Sequence, residues 1–198
     1  MKKVKPLPEE SNKFSDEDLI ARFQNGDEYA FEEIIHRYKD RLVNFVFRFL
    51  GQMDEAEDIV QDTFLKVYKN KNAYENIARF STWIYTIAGN LAKTELRKRK
   101  RRRIFSISKM GPDEKEFELP ASDKTPEEDV DTLFTEKIVQ AAIQQLPEKF
   151  RTVIILRDIQ ELSYDGISMI VGVPLGTIKS RVNRGRLKLR DLLKEMNH

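Results

Sequence analysis

Between Glu28 and Leu50 the residues Phe31, Ile34, Ile35, Tyr38, Leu42, Phe45, Val46 and Phe49 recur every three or four positions, and Gly51 follows them. That spacing lines them up as one wide stripe along a helix of about six turns, which is stable only when other elements cover it. No stretch of the chain alternates polar and apolar residues over a useful length. The cover must therefore be more helix, and the expected fold class is all-α.

The segments around the stripe fit that expectation. Ser15 followed by Asp18 has the form of a capping box, opening a short helix through Leu19 and Phe23 that Gly26 closes. A third helix, from about Asp54 to Lys69, can turn Ala56, Ile59, Val60, Thr63, Phe64 and Val67 to the core. Its other side carries Asp54, Asp58, Gln61, Asp62 and Leu65. Such a face is either a solvated acidic surface or a dock for a basic or polar partner helix, and the pattern alone does not choose. The next residues, NKNAYENIAR from Asn70 to Arg79, favour a loop. Phe80-Ser81-Thr82-Trp83 then starts a fourth helix with Ser81 as its cap. Ile84, Ile87, Ala88 and Leu91 are its buried side, with Tyr85, Asn90 and Thr94 as polar interruptions.

Charge is segregated. The net charge of the 198 residues is only +2 although 34 % of them are charged. Arg97 to Arg103 is an unbroken basic run, RKRKRRR, whereas Asp113 to Asp131 carries nine acidic residues against two lysines. Adjacent cations repel one another unless a polyanion is near, so the run beside an aromatic and amide-rich segment suits single-stranded nucleic acid. The competing reading is core aromatics next to a solvated helix end. From Ile104 to Val130 no period persists, and Gly111-Pro112, Pro120 and Pro126 break the chain. The expected organisation is a flexible tail (1–14), a helical domain (15–103), a flexible acidic linker (104–129) and a second helical domain (130–198).

The second domain ends in two helices joined by a tight turn. Ser163 can cap the first, Gly172 supplies the turn, and Pro174 starts the second. Ile178, Val182, Leu189 and Leu193 would face its core, while Thr177, Ser180, Arg181, Arg184 and Lys188 share an outward face beside Lys179. Hydroxyls near the helix start with arginines behind them suit a major groove, where arginine forks onto guanine. A solvated basic face is the plainer reading, but no acidic residue occurs from Ser168 to Arg190, and merely solvated faces usually mix both signs.

Catalysis and metal binding find little support. Cysteine is absent, which fits a reducing compartment. The two histidines, His36 and His198, are too few and too far apart in sequence for a metal site, and no cofactor is expected. Gly172 to Ser180 fails the spacing of a phosphate loop. The lysines of the first residues precede no apolar run, and no window is apolar enough to span a bilayer. A cytoplasmic, non-catalytic chain is expected.

Taken together these residues resemble the extracytoplasmic-function (ECF, group IV) sigma factors of bacterial RNA polymerase. The likeness rests on AEDIVQDTFLKVY (Ala56–Tyr68) and FSTWIYTIAGN (Phe80–Asn90). In the second half it rests on LPEKFR (Leu146–Arg151), LSYDGI (Leu162–Ile167) and PLGTIKSRVNRGR (Pro174–Arg186). The resemblance implies that the 15–103 domain is sigma region 2 and the 130–198 domain sigma region 4. It implies that Asp58, Gln61, Asp62 and Leu65 dock on the β′ coiled coil of core RNA polymerase, with the β flap as a second polymerase contact. It places Asn70, Asn72, Asn76, Phe80, Ser81, Trp83, Asn90 and Arg97 at the minus-ten promoter element. Thr177, Lys179, Ser180, Arg181, Arg184 and Lys188 fall at the minus-thirty-five element. Many members of the family are held by an anti-sigma factor, often membrane-anchored, so such a partner is an expectation here. Two departures stand out. The family often has Glu-Ile-Ala after the Ser-Tyr pair, where this chain has Asp165-Gly166-Ile167-Ser168, and Gly89 precedes Asn90 where a bulkier residue is common. A glycine inside a helix costs roughly 0.5–1 kcal/mol relative to alanine, which predicts a softer support helix.

A stand-alone helix-turn-helix regulator would explain the C-terminal motif but not the Asn-rich loop, the FSTW segment or the basic run. An RNA-binding protein would use the basic run without base-specific duplex contacts.

Overall fold

The computed structural model describes residues 14–109 and 130–196. Most of the expected tail and linker therefore lies outside the described residues. Eight α-helices are seen among the described residues: α1 (Asp16–Gln24), α2 (Glu28–Leu50), α3 (Met53–Lys69), α4 (Phe80–Lys109), α5 (Val130–Gln145), α6 (Glu148–Ile154), α7 (Tyr164–Val171) and α8 (Leu175–Met196). A 3-10 turn spans Lys71–Ala73 and a π-helical turn spans Ile155–Ile159. No strand occurs among the described residues.

In the first half, α1, α3 and α4 pack around α2. Ile34, Tyr38, Leu42, Phe45, Val46 and Phe49 are fully buried, while Phe31 and Ile35 lie half-buried at the rim of the stripe. The Ser15–Asp18 capping box forms with both of its hydrogen bonds. Gly51 ends α2 with φ 81°, a left-handed conformation that side chains other than glycine's adopt with strain.

Three expectations need correction. The fourth helix begins at Phe80, so Ser81 lies inside the first turn and is not its cap. The orphan N–H of Phe80 donates instead to Glu17 Oε1 of α1 at 2.9 Å, so a long-range carboxylate does what a local hydroxyl was expected to do. Tyr85 is no polar interruption, because its side chain is fully buried. Helix α4 also continues to Lys109, six residues into the expected linker; the first breaker after the basic run is Gly111-Pro112, and nothing before it stops a helix.

In the second half, Ser163 caps α7 by accepting from Gly166 N–H, and Gly172 turns the chain with φ 71°. Pro174 O accepts from Ile178 N–H at 3.1 Å as α8 starts. Ile178 and Val182 of α8 are buried, and α8 packs on α6, α5 and α7.

The two halves are in direct contact. Helix α5 and the π-helical turn lie on α2, and α7 lies on α4. Gln160 is buried at the centre of this seam. Its Oε1 accepts from Tyr85 Oη at 2.6 Å, and its Nε2 donates to Asn44 Oδ1 at 3.1 Å. Arg151 reaches across to Phe49 O at 2.9 Å, and Gln144 Nε2 to Arg48 O at 2.7 Å.

Candidate nucleic-acid and partner interfaces

Three surfaces carry the residues singled out from the sequence. The first is the outer side of α3. Helical spacing places Asp54, Asp58, Gln61, Asp62 and Leu65 on it, and all five are exposed. Leu65 and Met53 are exposed apolar side chains at 54 % and 47 %, so the face is not simply charged. Among the described residues neither Asp58 nor Asp62 has an ion-pair partner. Unpaired carboxylates framing an exposed leucine form a face with charge and apolar area to offer a cationic, partly apolar helix.

The second surface is the loop after α3 and one side of α4. The loop is fastened from beneath. Gln24 Nε2 donates to Lys71 O at 2.8 Å and Tyr74 O at 3.0 Å, and Lys71 Nζ donates to Phe23 O at 2.8 Å. Tyr74 is buried, and its Oη donates to Ala78 O at 2.8 Å. With its base fixed, the loop presents Asn72, Asn76 and Ile77 to solvent. Ile77 is 85 % exposed, and sequence reasoning passed it over. The signal was there: an isoleucine in an otherwise polar loop, with no helical or strand period to bury it. Asn70, also exposed, closes α3, its Nδ2 donating to Lys66 O at 2.9 Å.

On α4, Phe80 is fully buried against Tyr38, Tyr74 and Trp83, with ring centroids 5.5, 5.7 and 5.9 Å away. Its ring is therefore enclosed by protein and packs beneath Trp83 and the loop. Ser81 is half-buried and lines the cleft between the two halves. Trp83 is half-buried, and Asn90 and Arg97 are exposed. They follow at seven-residue intervals and form a line about 20 Å long on one side of the helix. An indole, an amide and a guanidinium in a row suit a strand of unstacked bases and its phosphates. The basic run is partly committed elsewhere: Arg99 pairs with Glu55 of α3 and donates to Leu50 O at 3.1 Å. Lys98 and Arg102 pair with Glu95 of the same helix at 3.1 and 3.8 Å while staying exposed, as do Arg97 and Arg101. The packing of this surface rests on Tyr38, whose Oη donates to Asp16 Oδ2 at 2.5 Å; burial pushes its phenol far above the ordinary range.

The third surface is α8. Lys179, Ser180, Arg184 and Lys188 are exposed, whereas Thr177 and Arg181 are half-buried. Arg184 Nη2 donates to Ser180 Oγ at 2.7 Å, which holds the guanidinium along the outer face. Arg186 is tied to Asp158 through a fork of 3.0 and 2.5 Å. The exposed edge also includes Asn183, which lies between Ser180 and Arg184 and was missed in the stripe read from sequence. An amide there is the side chain that pairs bidentately with adenine. The helix stands on Gly185, which is buried against Ile154.

No described helix is long and apolar enough to cross a membrane. Among the described residues no group of three His, Asp or Glu gathers as a metal site.

Two protein families match the chain, one in each half. Residues 34–102 match the family Sigma-70 region 2, and residues 136–189 match Sigma-70, region 4. The chain is 37 % identical over 179 residues to the ECF RNA polymerase sigma factor SigW of Bacillus subtilis, covering 89 % of this chain and 96 % of the relative. It is 34 % identical to the RNA polymerase sigma-H factor of Pseudomonas aeruginosa, covering 86 % and 90 %. Among solved structures, the sigma factor RpoE in complex with the anti-sigma factor NepR from Bartonella quintana superposes with a TM-score of 0.67 at 29 % identity, over 83 % of this chain and 96 % of that one. CnrH in complex with the cytosolic domain of CnrY has the same TM-score at 20 % identity over 91 % and 97 % of the two chains, a likeness of fold.

Proposed function

The chain belongs to the extracytoplasmic-function sigma factors of RNA polymerase, and from that premise we propose that its three surfaces divide the work of promoter-specific initiation. The outer face of α3, with Asp58, Gln61, Asp62 and Leu65, docks on the β′ coiled coil of the core enzyme. The loop 70–79 and the line Trp83, Asn90 and Arg97 on α4 hold the minus-ten element as a single strand. The exposed edge of α8, Lys179, Ser180, Asn183, Arg184 and Lys188, reads the minus-thirty-five element in the major groove of intact duplex, and the surrounding helices meet the β flap.

The observation that carries this reading is the coexistence of two cationic surfaces of different design with one acidic one. α8 is a single exposed helix edge of the width a major groove accepts, while the α4 surface combines a fixed loop with an exposed isoleucine, an indole and amides, as unpaired bases require. A regulator that binds only duplex has no use for the second. Strand opening then needs no ATP, because its cost is offset by the bases held out of the stack and by polymerase contacts. The chain acts in the cytoplasm as a non-catalytic subunit of polymerase. An anti-sigma protein of the kind bound to its solved relative is its regulator.

Reconstituting the chain with core polymerase and selecting bound fragments from a random promoter pool tests the reading. Two conserved blocks at fixed spacing are expected. A single palindromic block selected by the chain alone would favour a stand-alone regulator.

A further inference from the structure

We infer that α1 is a splint for the loop between α3 and α4, and that Glu17 and Gln24 are positioning residues for strand opening, acting through that loop. The inference rests on the sigma reading for what the loop does and on geometry for what holds it.

One helix binds residues 70–79 at both ends. At the entry, Gln24 Nε2 donates to Lys71 O at 2.8 Å and to Tyr74 O at 3.0 Å. Lys71 Nζ returns a bond to Phe23 O at 2.8 Å and lies 4.3 Å from the centroid of the Phe23 ring. That carbonyl belongs to the C-terminal end of α1, where partial negative charge collects and a cation is favoured. At the exit, Glu17 Oε1 accepts from Phe80 N–H at 2.9 Å, which sets a carboxylate at the positive N-terminus of α4. Glu17 and Gln24 are two turns apart, so they share one side of α1 and stand about 10 Å from each other along its axis. A loop tied at each end to a spacer of fixed length has little conformational freedom left to lose when a base is placed against it.

The splint is itself fixed. A nine-residue helix is too short to hold its form alone. Leu19, Ile20 and Phe23 are buried, and the Ser15–Asp18 capping box closes the first turn. Asp16 Oδ2 accepts from Tyr38 Oη at 2.5 Å, and Asp16 Oδ1 from Arg37 Nη1 at 2.9 Å. Both donors stand on α2, so the central helix of this half sets the position of α1. The bonds from Glu17 and Gln24 all end on main-chain atoms. They leave Asn72, Asn76 and Ile77 at the surface, free to meet bases. Trp83 inherits its place from the two tied ends, its ring centroid lying 5.4 Å from that of Tyr74 and 5.9 Å from that of Phe80.

The full chain, free and with core polymerase, tests the splint. Glu17→Ala removes the acceptor at the exit, Gln24→Ala removes the donor at the entry, and Glu17→Gln keeps an acceptor. In each alanine variant, amide hydrogen exchange at residues 71–80 of the free chain should quicken about five- to tenfold, the weight of one lost cap or buried hydrogen bond. Exchange in α2 and α8 should not change, and Glu17→Gln should return most of the protection at Phe80. The chain has a single tryptophan, so quenching by acrylamide reads Trp83 alone and should rise in both alanine variants. Transcription is then measured on a promoter fragment that the parent holoenzyme selects. From the duplex, each alanine variant should give at least about fivefold less transcript than the parent, because loosened capture offsets less of the cost of opening. From the same fragment with mismatches across the downstream block, yields should be close to parental, since that template is already open.

Unchanged exchange at 71–80, unchanged quenching of Trp83, or faster exchange spread over the whole first half would overturn the splint. So would undiminished transcript from the duplex, or equal losses on the two templates, because a defect in core assembly ignores the state of the template. Failure of the sigma reading looks different: the parent chain with core would give no promoter-specific transcript from either template.

Discussion

Gly185 of α8 lies so close to Ile154 of α6 that a Cβ on it would fall 2.8 Å from Ile154 Cγ1. Helix α8 is seated on this contact, since Val182 one turn earlier is buried on the same side. Gly185→Ala should therefore destabilise despite the better helix propensity of alanine. Overpacking costs about 1–3 kcal/mol and propensity returns about 1, so a net loss of up to about 2 kcal/mol is expected by thermal or denaturant unfolding. Ile154→Ala, which removes the clashing carbon, should combine with it at less than the sum of the single losses.

Asp58→Lys with Asp62→Lys should abolish association with core polymerase in gel filtration while leaving the circular dichroism spectrum unchanged. Both carboxylates are exposed and outside any ion pair in the described residues, so the fold does not depend on them. Undiminished holoenzyme yield would remove the outer face of α3 from the docking surface.

Arg184→Ala should weaken binding to a minus-thirty-five duplex by about 1–3 kcal/mol and relax preference at one base pair, measured by fluorescence anisotropy with the isolated duplex in competition with altered sequences. Arg184 is exposed and held along the outer edge of α8 by Ser180. Arg181, half-buried beside it, should lose affinity evenly over all sequences when replaced, as a phosphate contact does. Asn183→Ala should alter base preference with little change in the salt dependence.

Stability should be steady through neutral pH and fall on the alkaline side. Burial raises the Tyr85 phenol from 10.0 to about 12, with Arg41 pulling it the other way. A group whose folded pKa lies above its unfolded value contributes fully below the unfolded pKa. That contribution, about 2–3 kcal/mol, is then lost between about pH 10 and pH 12. Denaturant midpoints measured across that window should decline, and Tyr85→Phe should show a shallower decline. A decline of equal steepness would assign the alkaline limb to other groups, Tyr38 first among them.

Much of this was open to inspection in the sequence, for reasons that are local. The stripe from Phe31 to Phe49, the Ser15 and Ser163 caps and the Gly51 and Gly172 ends each depend on residues within a few positions. What escaped depended on distant residues. Ser81 is a good cap by type, but Glu17 took the N–H it would have served. Tyr85 carries a hydroxyl, yet Gln160, 75 positions on, gives that hydroxyl a buried partner. Phe80 sits in a segment that the family resemblance implies is at DNA, but only the packing of Tyr38 and Tyr74 shows that its ring faces inward. The outward stripe of α8 holds at Ser180, Arg184 and Lys188, but Thr177 and Arg181 are half-buried and the exposed edge takes in Asn183, because a periodic pattern of polar residues does not say where the apolar neighbours of α6 lie. Gly166 made local sense only as a weakness; it lies buried against α4, where a Cβ would lie 3.4 Å from Thr82 Oγ1.

The most direct measurement is run-off transcription by purified core polymerase supplied with this chain, on linear templates carrying both promoter blocks, either block scrambled, or the spacing changed by half a helical turn. Transcripts from the intact template alone, strongly reduced by scrambling either block or shifting the spacing, are the predicted result. Transcription that ignores the upstream block and its spacing, or core that stays silent on every template, would contradict the assignment of one strand to α4 and one duplex to α8.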